Sequence, residues 1–327
     1  MTPAQTPPLI GVLVPKGLAV PEFLDLTVQL DSCGIDGVWL AEDCFTASGP
    51  AMAAMVLDRT NGLTVGLGIL PAAARNVAFT AMEIATLANA HPGRLIVGIG
   101  HGMPEWMTQV GVWPTKPVAA LGETISVLRR LLAGETVSVS GHHVHLDAVK
   151  LDQPPSVVPP VFAGVRRPAS LKASGRVAQG TILAEPCTPE YIRVALSLIG
   201  EGRDASSEPH TIVSYNWFAP ADQASTQALR QAIVAQLGPA LDAQLQGTGF
   251  GTEILELARE QNDVSGSWLP EAWLERLAIW GEPERSASRV VELAMSGADW
   301  CVLAPPPGVP VNDVLVGVGA LVRALRA

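Results

Sequence analysis

VGLGILPAAARNVAFTAMEIATL, residues 65–87, carries the pattern on which the fold turns. Its first part is apolar at consecutive positions and breaks at small residues, as a strand buried on both faces does, and predicts a strand over Leu63–Leu70. The rest spaces its apolar residues at helical intervals and predicts a helix over Ala78–Asn89. The same couple recurs on both sides. Leu9–Val14 precedes a helix over Pro21–Ser32, whose end is Gly34, since glycine enters the left-handed cap without penalty. Gly37–Ala41 precedes Pro50–Arg59, and Arg94–Gly98 precedes Ala119–Leu132. Further on, Pro160–Ala163 leads to Ala169–Val177, Thr181–Ala184 to Pro189–Ile199, and Trp300–Leu303 to Val311–Leu325, with Thr211–Phe218 as the seventh strand. Eight such units over 327 residues predict an α/β fold, a (β/α)8 TIM barrel, with a doubly wound two-domain chain as the alternative.

Two stretches interrupt the alternation. Glu135–Leu151 has period-two patterning around Gly141 and reads as an inserted β-hairpin. Ala221–Ser296 is mostly helical by pattern, with helices over Gln223–Leu237, Gly251–Glu260, Pro270–Ala278 and Glu284–Met295, and is too long for a simple connection. One domain over 1–327 is therefore expected, with insertions at about 135–151 and 221–280. The second insertion would cover the barrel mouth.

Composition narrows the function classes. With 21 basic against 31 acidic residues, a net charge of −10 and no basic run, nucleic acid and anionic membranes are poor partners. A 48% hydrophobic share with only 16% charged residues excludes a disordered chain. No apolar run reaches the roughly 18 residues of a membrane span, and Met1–Pro8 lacks the pattern of a secretory leader. Cys33, Cys44, Cys187 and Cys301 are scattered, which points to free thiols and a cytoplasmic location. His142, His143 and His145 invite a metal, yet no carboxylate or cysteine is fixed beside them, and a solvated hairpin edge is the simpler reading; no metal is expected.

Three stretches together resemble the luciferase-like monooxygenase superfamily. They are residues 65–87, RLIVGIGHGMPEWMTQVG at 94–111, and the run from Glu123 to Leu183 that ends in PPVFAGVRRPASLKASGRVAQGTIL. GIDGVWLAED at 34–43 and LAIWGEPERSASRVVELAMSGADWCVL at 277–303 are weaker echoes. Gly100–Val112, with Trp113, Lys116 and Pro117, looks closest to the branch dependent on coenzyme F420, a deazaflavin, typified by methylenetetrahydromethanopterin reductase. The resemblance implies a cofactor pocket at the C-terminal ends of the strands of a homodimer, and hydride transfer to or from a small-molecule substrate. The alternatives are a flavin mononucleotide (FMN)-dependent monooxygenase using molecular oxygen and a non-catalytic flavin- or deazaflavin-binding protein.

Residue by residue, the resemblance places Glu42 and Asp43 at the tip of the second strand, where relatives carry a polar pair against the ring edge. Glu42 is a catalytic candidate, and the plain alternative is an acid that caps the following loop. Relatives have a non-prolyl cis peptide at the Gly68–Ile69 position, so that bond is expected to be cis, backing the ring. Gly100, His101 and Gly102 end the fourth strand. His101 is the second catalytic candidate, because histidine donates a hydrogen bond or moves a proton near neutral pH; a structural histidine is the alternative. Ala163, Gly164, Val165, Arg166 and Arg167 end the fifth strand and open a helix, where unpaired N–H groups and guanidinium forks suit a phosphate. Pairing of either arginine with surface carboxylates is the competing view. Arg167 stands where relatives commonly have glycine, and Gln179 where they have an acid.

Overall fold

The computed structural model describes residues 8–204, 208–238, 241–245, 248–261 and 263–327. Residues 1–7, most of the stretch bearing on a leader, lie outside them. The strands are β1 (Leu9–Leu13), β2 (Gly37–Leu40), β3 (Thr64–Pro71), β4 (Leu95–Gly100), β5 (Val137–Ser140), β6 (His145–Val149), β7 (Val161–Gly164), β8 (Gly180–Leu183), β9 (Thr211–Ala219), β10 (Ala278–Trp280) and β11 (Trp300–Ala304). Helices Val20–Ser32, Gly49–Arg59, Val77–Ala90, Pro117–Leu132, Pro168–Val177, Pro189–Gly200, Pro283–Met295 and Val311–Arg326 alternate with them. The fold is α/β, a (β/α)8 barrel, and the inserted hairpin is present as the antiparallel pair β5–β6.

The described chain forms two compact units. One holds the residues through Asp36, Leu183–Ser197 and Ile212–Ala327, with parallel strands in the order β10-β9-β11-β1. The other holds Gly37–Ile182 and Leu198–Thr211, with β2, β3, β4, β7 and β8 parallel in that order.

In each unit a side chain just before a strand accepts from an N–H at or next to the start of a neighbouring strand. Asp36 Oδ2 accepts from Ile10 N at 2.7 Å, and Asp299 Oδ2 from Ile212 N, also at 2.7 Å. In the other unit Gln179 Oε1 accepts from Val161 N at 3.0 Å. Glutamine thus does at 179 what an acid does at the other two, because the task is to satisfy an amide that has no ladder partner. Gly34, at φ +77°, closes the first helix as expected.

Two further features fix the second unit. Gly66 has no Cβ because the indole of fully buried Trp39 lies there; a Cβ would meet its ring at 2.3 Å. Arg94 spreads its guanidinium over the carbonyls of Leu57, Thr60 and Leu63, at 3.1, 2.7 and 2.9 Å. It thereby satisfies orphan acceptors where helix Gly49–Arg59 ends.

Beyond shifts of a residue or two at element ends and an unexpected short helix Asp242–Leu245, two departures from the sequence expectations stand out. Ala278 belongs to a strand and not to the preceding helix, which ends at Leu277. The three-residue β10 has too few positions to show a period, and it exists through its pairing with Trp217–Ala219 of β9. Pro104–Gln109 is a short helix with proline at its start, inside what the sequence suggested was loop.

Candidate active site at the strand tips

The tips of β2, β3, β4 and β7 all lie within the second unit. The Gly68–Ile69 peptide bond is cis, as expected, and Cys44–Phe45 is a second non-prolyl cis bond that no motif announces. The β3–β4 register slips between Leu67 and Leu70, so Gly68 and Ile69 bulge out of the ladder and stay partly exposed.

The glycines around this bulge have a specific job. A Cβ on Gly164 would lie 2.3 Å from Ile69 Cγ2, and one on Gly100 would lie 2.8 Å from Ile69 Cγ1. A Cβ on Gly98 would meet the Leu67 carbonyl at 2.3 Å. The room these glycines free is taken by Ile69 and by backbone, so they seat the Ile69 side chain and do not themselves offer an open cradle. Gly102 is different: it is partly exposed, at φ +72°, with Pro71 and Met107 about its missing Cβ at 3.0 and 3.1 Å.

His101, which follows Gly100 in the chain, is partly buried. Its Nε2 lies 3.0 Å from Ser170 Oγ, and the ring also bonds the Pro117 backbone. Burial pushes its pKa below the usual histidine value, against the raising effect of the Pro117 contact. Which of the two donates, Nε2 or the Ser170 hydroxyl, depends on the ring tautomer.

Glu42 is tied into an ion pair. Arg75 Nη1 donates to Oε2 at 2.6 Å and Nη2 to Oε1 at 2.5 Å, while the Gly49 amide donates to Oε1 at 2.9 Å. The carboxylate therefore caps helix Gly49–Arg59 and keeps one lone pair, on Oε2, for another donor. Arg75 also reaches Glu83 at 3.7 Å, and its hydrogen bonds with Glu42 raise its pKa further. Glu42, Asp43, Cys44 and Phe45 line a cleft of about 340 Å³ with Pro71 and Arg75.

At the β7 tip, Ala163 and Val165 are buried and Gly164 is partly exposed. The Val165 N–H is spent on the Ile182 carbonyl at 3.2 Å. The first amides of helix Pro168–Val177 come from Ala169 and Ser170, since Pro168 has none. Arg167 is exposed at the N-cap and Arg166 is partly buried.

Comparison with known proteins decides the family. Residues 6–299 match the model described as luciferase-like monooxygenase. The chain belongs to the luciferase-like monooxygenase family. It is 25% identical over 297 residues to the 5,10-methylenetetrahydromethanopterin reductase of Methanolobus tindarius, covering 84% of this chain and 87% of the relative. It is 30% identical over 195 residues to the F420-dependent glucose-6-phosphate dehydrogenase of Microbacterium testaceum, covering 55% and 58% of the two chains. The solved coenzyme F420-dependent tetrahydromethanopterin reductase of Methanopyrus kandleri superposes with a TM-score of 0.82 at 22% identity, covering 96% of this chain and 98% of the other. This luciferase-like protein is an oxidoreductase. Among the described residues no helix is long and apolar enough to cross a membrane.

Within this luciferase-like barrel the structure brings Ile69, Gly98, Gly100 and Gly164 into one contact set and gives Glu42 and His101 firm partners. Sequence reasoning missed Arg75 and Ser170. Arg75 lies inside the stretch 65–87, yet no local spacing predicts its contact with Glu42, because only strand pairing brings β2 and β3 together. Ser170 is at the third position of its helix, a place where hydroxyls usually serve local backbone.

Proposed function

We propose that this chain transfers a hydride between coenzyme F420 and a small organic substrate, acting as a single barrel domain with two insertions. The observation that carries the proposal is the β3 tip, where the partly exposed Gly68–Ile69 bulge is locked from behind by Gly98, Gly100 and Gly164. A flat ring needs such a rigid apolar backing. The F420-dependent relatives support the choice of cofactor.

The residues present fit that group. Ile69, seated by Gly100 behind it, and the backbone of Gly102 would back the ring, with Gly102 partly exposed and free of a side chain at the rim. Asp43, in the cleft beside Glu42, would face the ring edge. Glu42 would accept one hydrogen bond through its remaining lone pair. His101 would hold or move a proton at Nε2 by way of Ser170. Ala163, Gly164, Val165, Arg166 and Arg167 would border the phosphodiester and glutamate tail. Their charge and the Ala169 and Ser170 amides would supply the attraction that an acidic protein otherwise lacks. When bound, a deazaflavin supplies hydride transfer at its ring carbon, and the protein supplies orientation and electrostatics.

We also propose a cytoplasmic homodimer. The four cysteines are free thiols. Phe79 and Met82, 63% and 54% exposed, share a face of helix Val77–Ala90 that a second copy would cover; light scattering on the purified chain tests it. A second reading of the cofactor, FMN with molecular oxygen, is favoured by the family's own description. Titration with F420, followed by its fluorescence, beside FMN separates the two. Micromolar binding of F420 with weaker FMN binding supports the proposal, and binding of FMN alone overturns it.

A further inference from the structure

We propose that Arg75 is a positioning residue of the cofactor mouth, holding the loop after β2 in place through Glu42 before any ring arrives. The inference rests on the deazaflavin proposal above and adds to it a residue that touches neither ring nor substrate.

The geometry starts from Glu42, an acid that three donors grip at once. Two come from the Arg75 fork and one from the Gly49 amide, all at 2.5–2.9 Å. Fork-on-carboxylate bonding fixes orientation as well as distance, which a single ammonium does not. Arg75 follows the β3 tip and also faces Glu83 of the next helix, so one guanidinium joins the β2 loop, the β3 tip and helix Val77–Ala90. The pair is sheltered, with side chains only 25% and 10% exposed for Arg75 and Glu42, so water screens it less than a surface bridge.

The loop it holds is tightly fitted. A Cβ on Gly49 would lie 2.9 Å from Leu70 Cδ2 and 3.4 Å from Glu42 Cβ. Leu70 directly follows Ile69, so the loop packs on the segment that carries the proposed ring platform. The cleft between loop and tip is lined by both partners of the ion pair. Once the fork is removed, the Gly49 amide alone of these three donors still holds Glu42, and the wall of that cleft is free to shift. Sites whose supports are left loose lose affinity because the ligand must then order them.

The test compares two probes. One is F420; the other is the bare deazaflavin riboside, which lacks the phosphate and glutamate tail. Arg75→Gln is expected to weaken both by the same factor, about tenfold, the size that supporting contacts behind a site commonly carry. Arg75→Lys, which keeps the charge and loses the fork, is expected to recover part of that loss and serves if Arg75→Gln does not fold. Arg167→Ala is expected to weaken F420 and leave the riboside unchanged. A merely structural arginine would lower the melting temperature and leave both affinities as they are in the protein that remains folded. That result overturns the inference, as does an Arg75→Gln effect confined to F420. Failure of the unmodified protein to bind either probe overturns the deazaflavin proposal itself, and the positioning role with it.

Discussion

Two histidines reach hydroxyls of one helix, one directly and one through a threonine, from opposite ends of their strands. His101, after β4, bonds Ser170 near the start of helix Pro168–Val177. One turn on, Ser174 bonds Thr181 at 2.7 Å, and Thr181 bonds His210 Nε2 at 2.8 Å, just before β9 begins. Burial lowers both pKa values; His210 is lowered to about 4, with the charge of Arg203 adding to the effect of burial. What separates them is which end of a strand they serve. His101 stands at a C-terminal tip between Gly100 and Gly102, whereas His210 stands at a strand's foot, bonded to Thr181 through Nε2 while its buried Nδ1 has no hydrogen-bond partner among the described residues. In barrels of this class the tips carry chemistry and the feet carry stability. The same imidazole-to-hydroxyl bond therefore has a different meaning at each end.

The sharpest way to break this division is to overpack a tip. Gly164→Ala places a Cβ 2.3 Å from Ile69 Cγ2, so Ile69 must shift. Its expected cost in F420 affinity is about tenfold to a hundredfold, matching the 1–3 kcal/mol of an overpacked contact. Gly200→Ala, with nothing within 4 Å of the new methyl, should leave affinity unchanged in the same titration. Equal affinity for the two variants would mean that Ile69 backs no ligand.

A change at a foot should do the reverse. Asp299→Ala leaves the Ile212 amide without its acceptor. It is expected to lower unfolding free energy by about 1–3 kcal/mol in denaturant titrations, with F420 affinity within twofold of the parent. A large loss of affinity would erase the distinction between feet and tips.

The smallest effect is on the pH dependence of stability. The fold disfavours protonation of His210, whose pKa falls from 6.5 to about 4. Stability from this group is complete above about 6.5 and is lost as pH drops toward 4, since there the unfolded chain binds the extra proton. His210→Gln should flatten the fall in unfolding free energy between pH 7 and pH 5, measured against the parent. His101 contributes in the same direction, so the parent slope should exceed what His210 alone explains. An unchanged slope in the variant would show that His210 is not held neutral.

Much of this was legible in the sequence, because hydrophobic period and glycine placement are local properties. The strand and helix alternation, the hairpin and the Gly68–Ile69 bulge were all expected from residues adjacent in the chain or from a family pattern that spans them. The Glu42, His101 and Gly164 positions were legible as strand tips for the same reason. The sequence could not show what fills the gaps between those tips. Glycines suggest space, and only the packed structure shows that Ile69 occupies the space of Gly100 and Gly164.

Fold class was thus determined by the sequence alone, since the order of buried strands and amphipathic helices leaves few ways to cover a parallel sheet. The partners of each polar side chain were decided only in three dimensions. Arg75 finds Glu42 across 33 positions of chain, and His101 finds Ser170 across 69. No local pattern encodes such pairs, because a hydrogen bond depends on which strands lie side by side and on which way each tip turns.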